Sequence, residues 1–126
     1  MNVLEQIRVR AAADSPLWAD ALLPGDPPPP EYLGRCPDGH LLGVEMIREG
    51  YLLHGGRSRL FSHADRDLAL LTGDYLYAAG LVEICGTGDL AAVTTLAELI
   101  SACAHDRGEG SADREEHWGA ALAAFA

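Results

Sequence analysis

Residues 70–84 read LLTGDYLYAAGLVEI, and the spacing of their apolar side chains predicts a long helix. Ser62 and Asp65 supply an N-terminal signature ahead of it. Leu68, Leu71, Tyr75, Ala78 and Val82 recur at steps of three or four on one face, while Leu70, Tyr77, Leu81 and Ile84 occupy a neighbouring one. The apolar surface is thus too broad for a helix resting on a single core, and the helix is expected to be central or buried by a partner.

Working outward, Gly86, Thr87 and Gly88 stop this helix and Asp89 caps the next, whose stripe is Leu90, Val93, Leu96, Ala97, Ile100 and Ala104. A mobile hinge is expected at Asp106 to Gly110. A last helix then begins at Ser111, with the charged turn Asp113 to Glu116 suiting its positive end and Trp118, Leu122 and Phe125 on one side. Upstream, Asp38 is read as the cap of a helix from His40 to His54, ended by Gly55-Gly56, with Val44, Ile47 and Tyr51 on one stripe and Glu45 with Glu49 on another. All seven prolines lie at or before Pro37. Among them, Ser15-Pro16 opens a short helix, Leu17 to Leu23, behind an N-terminal helix carrying Val3, Leu4, Ile7 and Ala11. Pro24 to Pro30 form a stiff extended connector; four consecutive prolines also have the composition of a polyproline ligand, but inside a small domain a spacer is the preferred role. No strand shows sustained two-residue alternation. The fold class is all-α, one domain over residues 1–126, in which a Pro-rich segment with short helices (1–37) precedes a helical core (38–126).

With 126 residues there is room for one domain only. The net charge is -10, and all nine basic residues are Arg. An acidic surface argues against duplex nucleic acid, whose backbone is held by cations. Absence of Lys excludes a Schiff-base lysine and a P-loop lysine. Uninterrupted apolar runs fall short of the roughly 20 residues of a membrane span, and the N-terminus lacks a secretory pattern. A cytoplasmic location is expected, with Cys36, Cys85 and Cys103 as reduced thiols and the last two as small buried hydrophobes.

Several groupings bear on chemistry. Arg57 and Arg59, in the glycine loop GGRSR (55–59), are candidate anion-binding residues through forked hydrogen bonds, against the reading of a solvated loop answering acidic neighbours. His63 and Asp67 in HADRD would share a helix face and could hold a metal, but an N-terminal turn attracts the same acids for capping. Glu45 and Glu49 resemble half of a bundle carboxylate site, yet the matching Glu-x-x-His motifs are missing, and Arg48 is read as an ion-pair partner on an exposed face. His105-Asp106 sits where a helix ends and is attributed to chance. Asp74, on an apolar helix, calls for a partner such as an arginine or a neighbouring helix end. Gly86-Thr87-Gly88 follows no strand and is not a nucleotide loop.

The chain from about Leu41 to Ile100 resembles trans-isoprenyl (polyprenyl) diphosphate synthases. Gly73, Asp74, Tyr75 and Leu76 match that family's "LAGDYLLA" helix. GVEMIREGYLLHGG (43–56) is similar to its "AVELIHTASLIHDD" helix at Val44, Glu45, Ile47, Leu52 and His54. Downstream, Gly108-Glu109 is a loose counterpart of a Gly-Glu pair. The family places Mg2+ between substrate phosphates and two aspartate-rich motifs. Here Gly55-Gly56 follows His54 instead, the segment leading to GDYL is shorter by about ten residues, near three helical turns, and the Lys grip on diphosphate is missing. The resemblance therefore implies a bundle of about five or six helices like part of the terpenoid synthase fold, without catalytic or metal residues and without a cofactor, Mg2+ entering only with a prenyl-diphosphate activity. It implies an interaction or regulatory subunit linked to isoprenoid biosynthesis, partnered as a homodimer or with a larger synthase subunit. Two alternatives stand beside it: a small protein or enzyme holding an isoprenoid or other apolar ligand between helices, with Arg57 and Arg59 on its head group, and a structural bundle of accidental resemblance.

Overall fold

The computed structural model describes residues 1–110 and 115–125. Among them are six α-helices: α1 (Val3–Asp14), α2 (Pro16–Ala21), α3 (Leu41–His54), α4 (Arg66–Gly86), α5 (Leu90–Gly108) and α6 (Glu115–Ala123). The fold is an all-α bundle, as the spacing predicts. The nearest approach to a sheet is one antiparallel bridge between Leu22 and Phe61, flanked by hydrogen bonds from Leu23 N–H to Leu60 O (2.8 Å) and from Ser62 N–H to Ala21 O (2.7 Å).

Short polar side chains set the helix starts. Asn2 Oδ1 accepts from Glu5 N–H, Ser15 Oγ from Leu17 N–H, Asp65 Oδ1 from Leu68 N–H and Asp89 Oδ1 from Ala92 N–H, each satisfying an amide that the first turn leaves open. Asp38 differs from its predicted role: it opens a 3-10 turn, Asp38–His40, and makes no capping bond to α3. Gly88 and Gly110 take positive φ (80° and 72°) beyond the ends of α4 and α5, where a side chain would be strained.

The centre of the bundle is α3. Every residue from Gly43 to Leu53 is buried, including Glu45, Arg48 and Glu49. The reading of Arg48 as an exposed ion-pair residue is therefore corrected, and of the two places expected for α4, central or buried by a partner, the central one is taken by α3. Two buried clusters flank α3. One joins α3 to α5, α6 and Tyr32; the other joins it to α1, α2, α4 and the loop around Leu60 and Phe61.

Glycine explains how α4 fits against α3. A Cβ on Gly43 would lie 2.9 Å from Gly80 O, and one on Gly80 2.8 Å from Gly43 O; at Gly50 the distance to Gly73 O would be 2.8 Å, and at Gly73 to Gly50 O 3.0 Å. Two glycines seven residues apart on each helix thus face two on the other, in antiparallel order, and the backbones touch. The face of α4 that packs inward is the small one: Ala69, Thr72, Gly73, Leu76, Ala79, Gly80 and Ile84 are buried. The larger side chains expected to pack turn outward instead, with Leu71 at 52% and Val82 at 61% exposure, beside exposed Ala78.

In α5 the buried set, Ala92, Leu96, Leu99 and Cys103, is rotated from the predicted stripe and shares only Leu96 with it; Leu90 is 73% exposed. Cys85 is exposed, against expectation, and Cys103 is buried. The expected hinge from Asp106 is helical as far as Gly108. The predicted start of the last helix at Ser111 and the acid Asp113 lie outside the described residues. Trp118 and Leu122 are buried as predicted, and Phe125 packs edge-on against His40 at 5.7 Å. The proline stretch runs outside any helix, as a spacer would, and is tied down by Arg8 Nη1 donating to Gly25 O (2.7 Å) and Tyr32 N–H donating to Glu45.

Candidate functional site

Two buried charge networks radiate from α3. Glu49 is fully buried, and its carboxylate accepts from Ser58 Oγ, from the backbone N–H of Arg59 (3.1 Å) and Leu60 (3.2 Å), and from Arg59 Nε (2.9 Å). Glu45 accepts from Tyr32 N–H (2.8 Å) and Arg59 Nη1 (2.7 Å). Burial opposes the charge of Arg59, but the Glu45 and Glu49 carboxylates outweigh it and hold the guanidinium above its usual pKa. Buried carboxylates this fully paired pin the loop after α3 and the end of the proline segment to one helix.

In the second network, Arg48 forks both η nitrogens onto Glu115 (3.1 and 3.0 Å) and reaches Glu31. Its guanidinium lies over Tyr51 (5.1 Å), Trp118 (5.1 Å) and Tyr32 (5.8 Å). A cation among three rings and two acids fastens α6 and the Tyr32 segment to the core.

These networks decide the candidate anion site. Arg59 points inward and spends its donors on Glu45 and Glu49. Arg57 is exposed, its guanidinium 5.8 Å from the Tyr51 ring. With Arg59 committed to two carboxylates, the two arginines do not form one anion grip. Nor do these residues fit Mg2+: Gly55-Gly56 bring no side-chain oxygen, and the acids of α3 face Arg59, Ser58 and backbone amides. Among the described residues no group of three or more His, Cys, Asp or Glu is arranged to hold a metal. His63 lies ahead of α4, so it shares no helix face with Asp67, while Asp65 caps the helix. Asp106 accepts from or shares a proton with His117 Nε2 at 2.8 Å, linking α5 to α6.

The four positions of the GDYL match separate into different tasks. Gly73 lets α3 approach, Leu76 is core, Tyr75 donates its hydroxyl to Asp14 Oδ2 (2.5 Å) and stacks on Trp18 at 5.0 Å. Asp74 is exposed and meets His54 Nε2 at 3.0 Å, so its partner is a histidine at the end of α3 and not an arginine.

That His54–Asp74 pair stands at a cleft between α4 and α5 with a volume of about 400 Å³, lined also by Tyr77, Ile100, Ala104, Arg107 and Gly108. His54 Nε2 lies 3.0 Å from Asp74 and 3.1 Å from Leu70 O; both are acceptors, so this nitrogen carries the proton. Tyr77 packs edge-on against the imidazole at 5.0 Å, and burial pushes its hydroxyl pKa up, keeping it a neutral donor. Arg107 Nη1 donates to His54 O (2.8 Å) and Arg66 Nη1 to the same oxygen (3.3 Å), two cations at the negative end of α3. An apolar wall with a few converging polar groups is the usual form of a small-ligand site. Sequence reasoning missed Arg107, Tyr77 and the His54 pairing, because their separation along the chain leaves no local spacing; the cation in the last turn of α5 was the one visible signal. A second hollow of about 360 Å³ between α5 and α6 is lined by Ala102, Ala120, Ala121 and Ala124 together with Thr95, Glu98, Leu99 and His117.

The outer side of α4 is the other candidate surface. Leu71, Asp74, Ala78, Val82 and Cys85 are exposed at steps of three or four, and Leu90 follows at the start of α5. By length and composition α4 is apolar enough to cross a membrane, but its inner face is packed on α3. Compared with known proteins, the chain matches no family model, no curated protein and no solved structure.

Proposed function

We propose that the chain is a non-catalytic relative of the polyprenyl diphosphate synthases that works in the cytoplasm as an interaction or regulatory subunit of isoprenoid biosynthesis. The observation that carries this reading is the apolar row on the outer side of α4, where Leu71 and Val82 are more than half exposed beside Ala78 and Cys85. Such a row is stable in water when another protein covers it. The acids of α3 support the same reading, since their oxygens serve the protein's own loops and not a substrate. The partner is a second copy or a larger synthase subunit. Light scattering on the purified chain, and on the chain co-expressed with a full-length polyprenyl diphosphate synthase, tests it: a complex of two chains or a complex with the synthase is expected. A lone monomer in both preparations sinks the proposal.

The cleft at His54 favours a second reading, a protein holding an apolar ligand such as a prenyl chain between α4 and α5. Arg107 and Tyr77, in place of Arg57 and Arg59, would then meet the ligand's polar end. Calorimetric titration with farnesyl diphosphate, with and without Mg2+, separates the two: heat that disappears in Tyr77→Phe supports the cleft, and a flat titration removes the diphosphate version.

A further inference from the structure

We infer that the outer face of α4 pairs with α4 of a second copy of this chain, the two helices running antiparallel about a two-fold axis. This inference rests on the association reading above and names its partner.

The exposed row, Leu71, Asp74, Ala78, Val82 and Cys85, advances by three or four residues at each step and so forms one stripe over four turns of helix, the geometry by which two helices seat side by side. Small Ala78 in the middle permits close approach. Among the described residues, the remaining large exposed hydrophobics on the helices, Val9 on α1, Leu17 on α2 and Leu90 at the start of α5, stand singly on their helices.

Charge selects the occupant. The protein carries -10 overall, yet the exposed positions from Ala78 through Val82, Cys85, Gly86, Thr87 and Gly88 are uncharged, and the partly exposed acids beside them, Glu83 and Asp89, are already paired with Arg10 and His40. A basic partner would find nothing to pair with there, and an acidic copy meets no repulsion. The charges of the face lie in its N-terminal half, at Asp67 and Asp74. Parallel pairing would set each of these against its own counterpart. Antiparallel pairing sets them against the half of the other helix whose own acids are already paired, and opposes the two helix dipoles favourably. Self-complementarity of one patch is what a two-fold contact requires. An anionic membrane surface is disfavoured by the same charges, since Arg66 is the one cation on α4.

Cys85 is a native reporter, the exposed one of three cysteines and a member of the row. Light scattering on the full chain under reducing conditions, across a micromolar concentration series, is expected to pass from the mass of one chain to that of two. Maleimide labelling of Cys85, read by peptide mass spectrometry, slows in step, by about tenfold when nine-tenths of the chains are paired, because the rate follows the free fraction. Val82→Arg restores one-chain mass and fast labelling with its helical circular dichroism unchanged, whereas Val9→Arg on α1 alters neither. A mass of one chain with constant labelling at every concentration overturns the inference, and so does a dimer that Val82→Arg leaves intact. Two further results would also overturn it: Val82-dependent binding to vesicles of anionic phospholipid by a chain that stays monomeric, or a Val82-dependent complex with a polyprenyl synthase formed by such a chain. The last of these leaves the association reading standing; a monomer that binds neither removes both.

Discussion

The helices α3 and α4 lie against each other along paired glycines, and by side-chain chemistry their places in the bundle look exchanged. α3 carries two glutamates and an arginine within five residues and is buried from Gly43 to Leu53. α4 is the more uniformly apolar, and yet it leaves Leu71 and Val82 in solvent. Burial follows what the neighbours offer and not hydropathy summed along a helix. Each polar group of α3 meets a partner from a distant segment: Arg59 and Ser58 for the acids, Glu31 and Glu115 for Arg48. α4 presents Gly73 and Gly80 to α3 because only glycine lets the two backbones touch there, and although Leu76 and Ile84 are buried with them, Leu71 and Val82 are left on the outside.

The strongest way to break this contrast is to remove the cation that makes α3 buriable. Arg59→Met strands Glu45 and Glu49 without their shared guanidinium, and urea unfolding is expected to show a loss of about 3–5 kcal/mol, the cost of an uncompensated buried charge. An undiminished midpoint would mean that the acids are held by the backbone amides and Ser58 alone. Next in size, Gly80→Ala places a methyl against Gly43 O and Ile47, and should cost about 1–3 kcal/mol of stability by overpacking. Equal tolerance of alanine at Gly80 and at open Gly119 would contradict the close approach.

A smaller effect concerns the junction of α4 and α5. The hydrogen bond to His40 Nε2, helped by the amide of Ala92, holds the Asp89 carboxyl below its usual pKa. A depressed folded-state pKa contributes stability that is present above the unfolded value, near pH 4, and is lost as pH falls through the folded one. Asp89→Asn should therefore narrow its stability difference from the parent protein as an acid titration followed by circular dichroism descends below about pH 4; a constant difference would place the effect elsewhere. Smallest of all, Leu71→Gln on the outer side of α4 should shift unfolding by less than about 0.5 kcal/mol when measured on dilute, unassociated chain. A large loss there would show that this face is core.

Much of the fold was legible because capping and spacing are local. Asp65 and Asp89 sit one residue before the helices they cap, and all six helices fall close to their predicted places. The inward faces of α4 and α5 were not legible, since the periodicity of large apolar residues shows that a helix has apolar sides without showing which one a glycine contact will claim. At the candidate site, GDYL was visible as letters, but its roles were not: Asp74 awaited His54, twenty residues earlier, and Tyr77 and Arg107 met them only through the packing of α4 on α5. Arg59 was visible as a cation, and its burial depended on two acids from another element.

By itself, the sequence determined the helical class, the positions of the caps and stops, the exclusion of lysine chemistry and the acidic surface, because each depends on residues within a turn of one another or on composition. Tertiary structure decided which helix is central, which charges are consumed inside and which apolar row is left in water. Those outcomes turn on contacts between segments far apart in the chain, where one guanidinium between two carboxylates, or two pairs of facing glycines, outweighs the hydropathy of a whole helix.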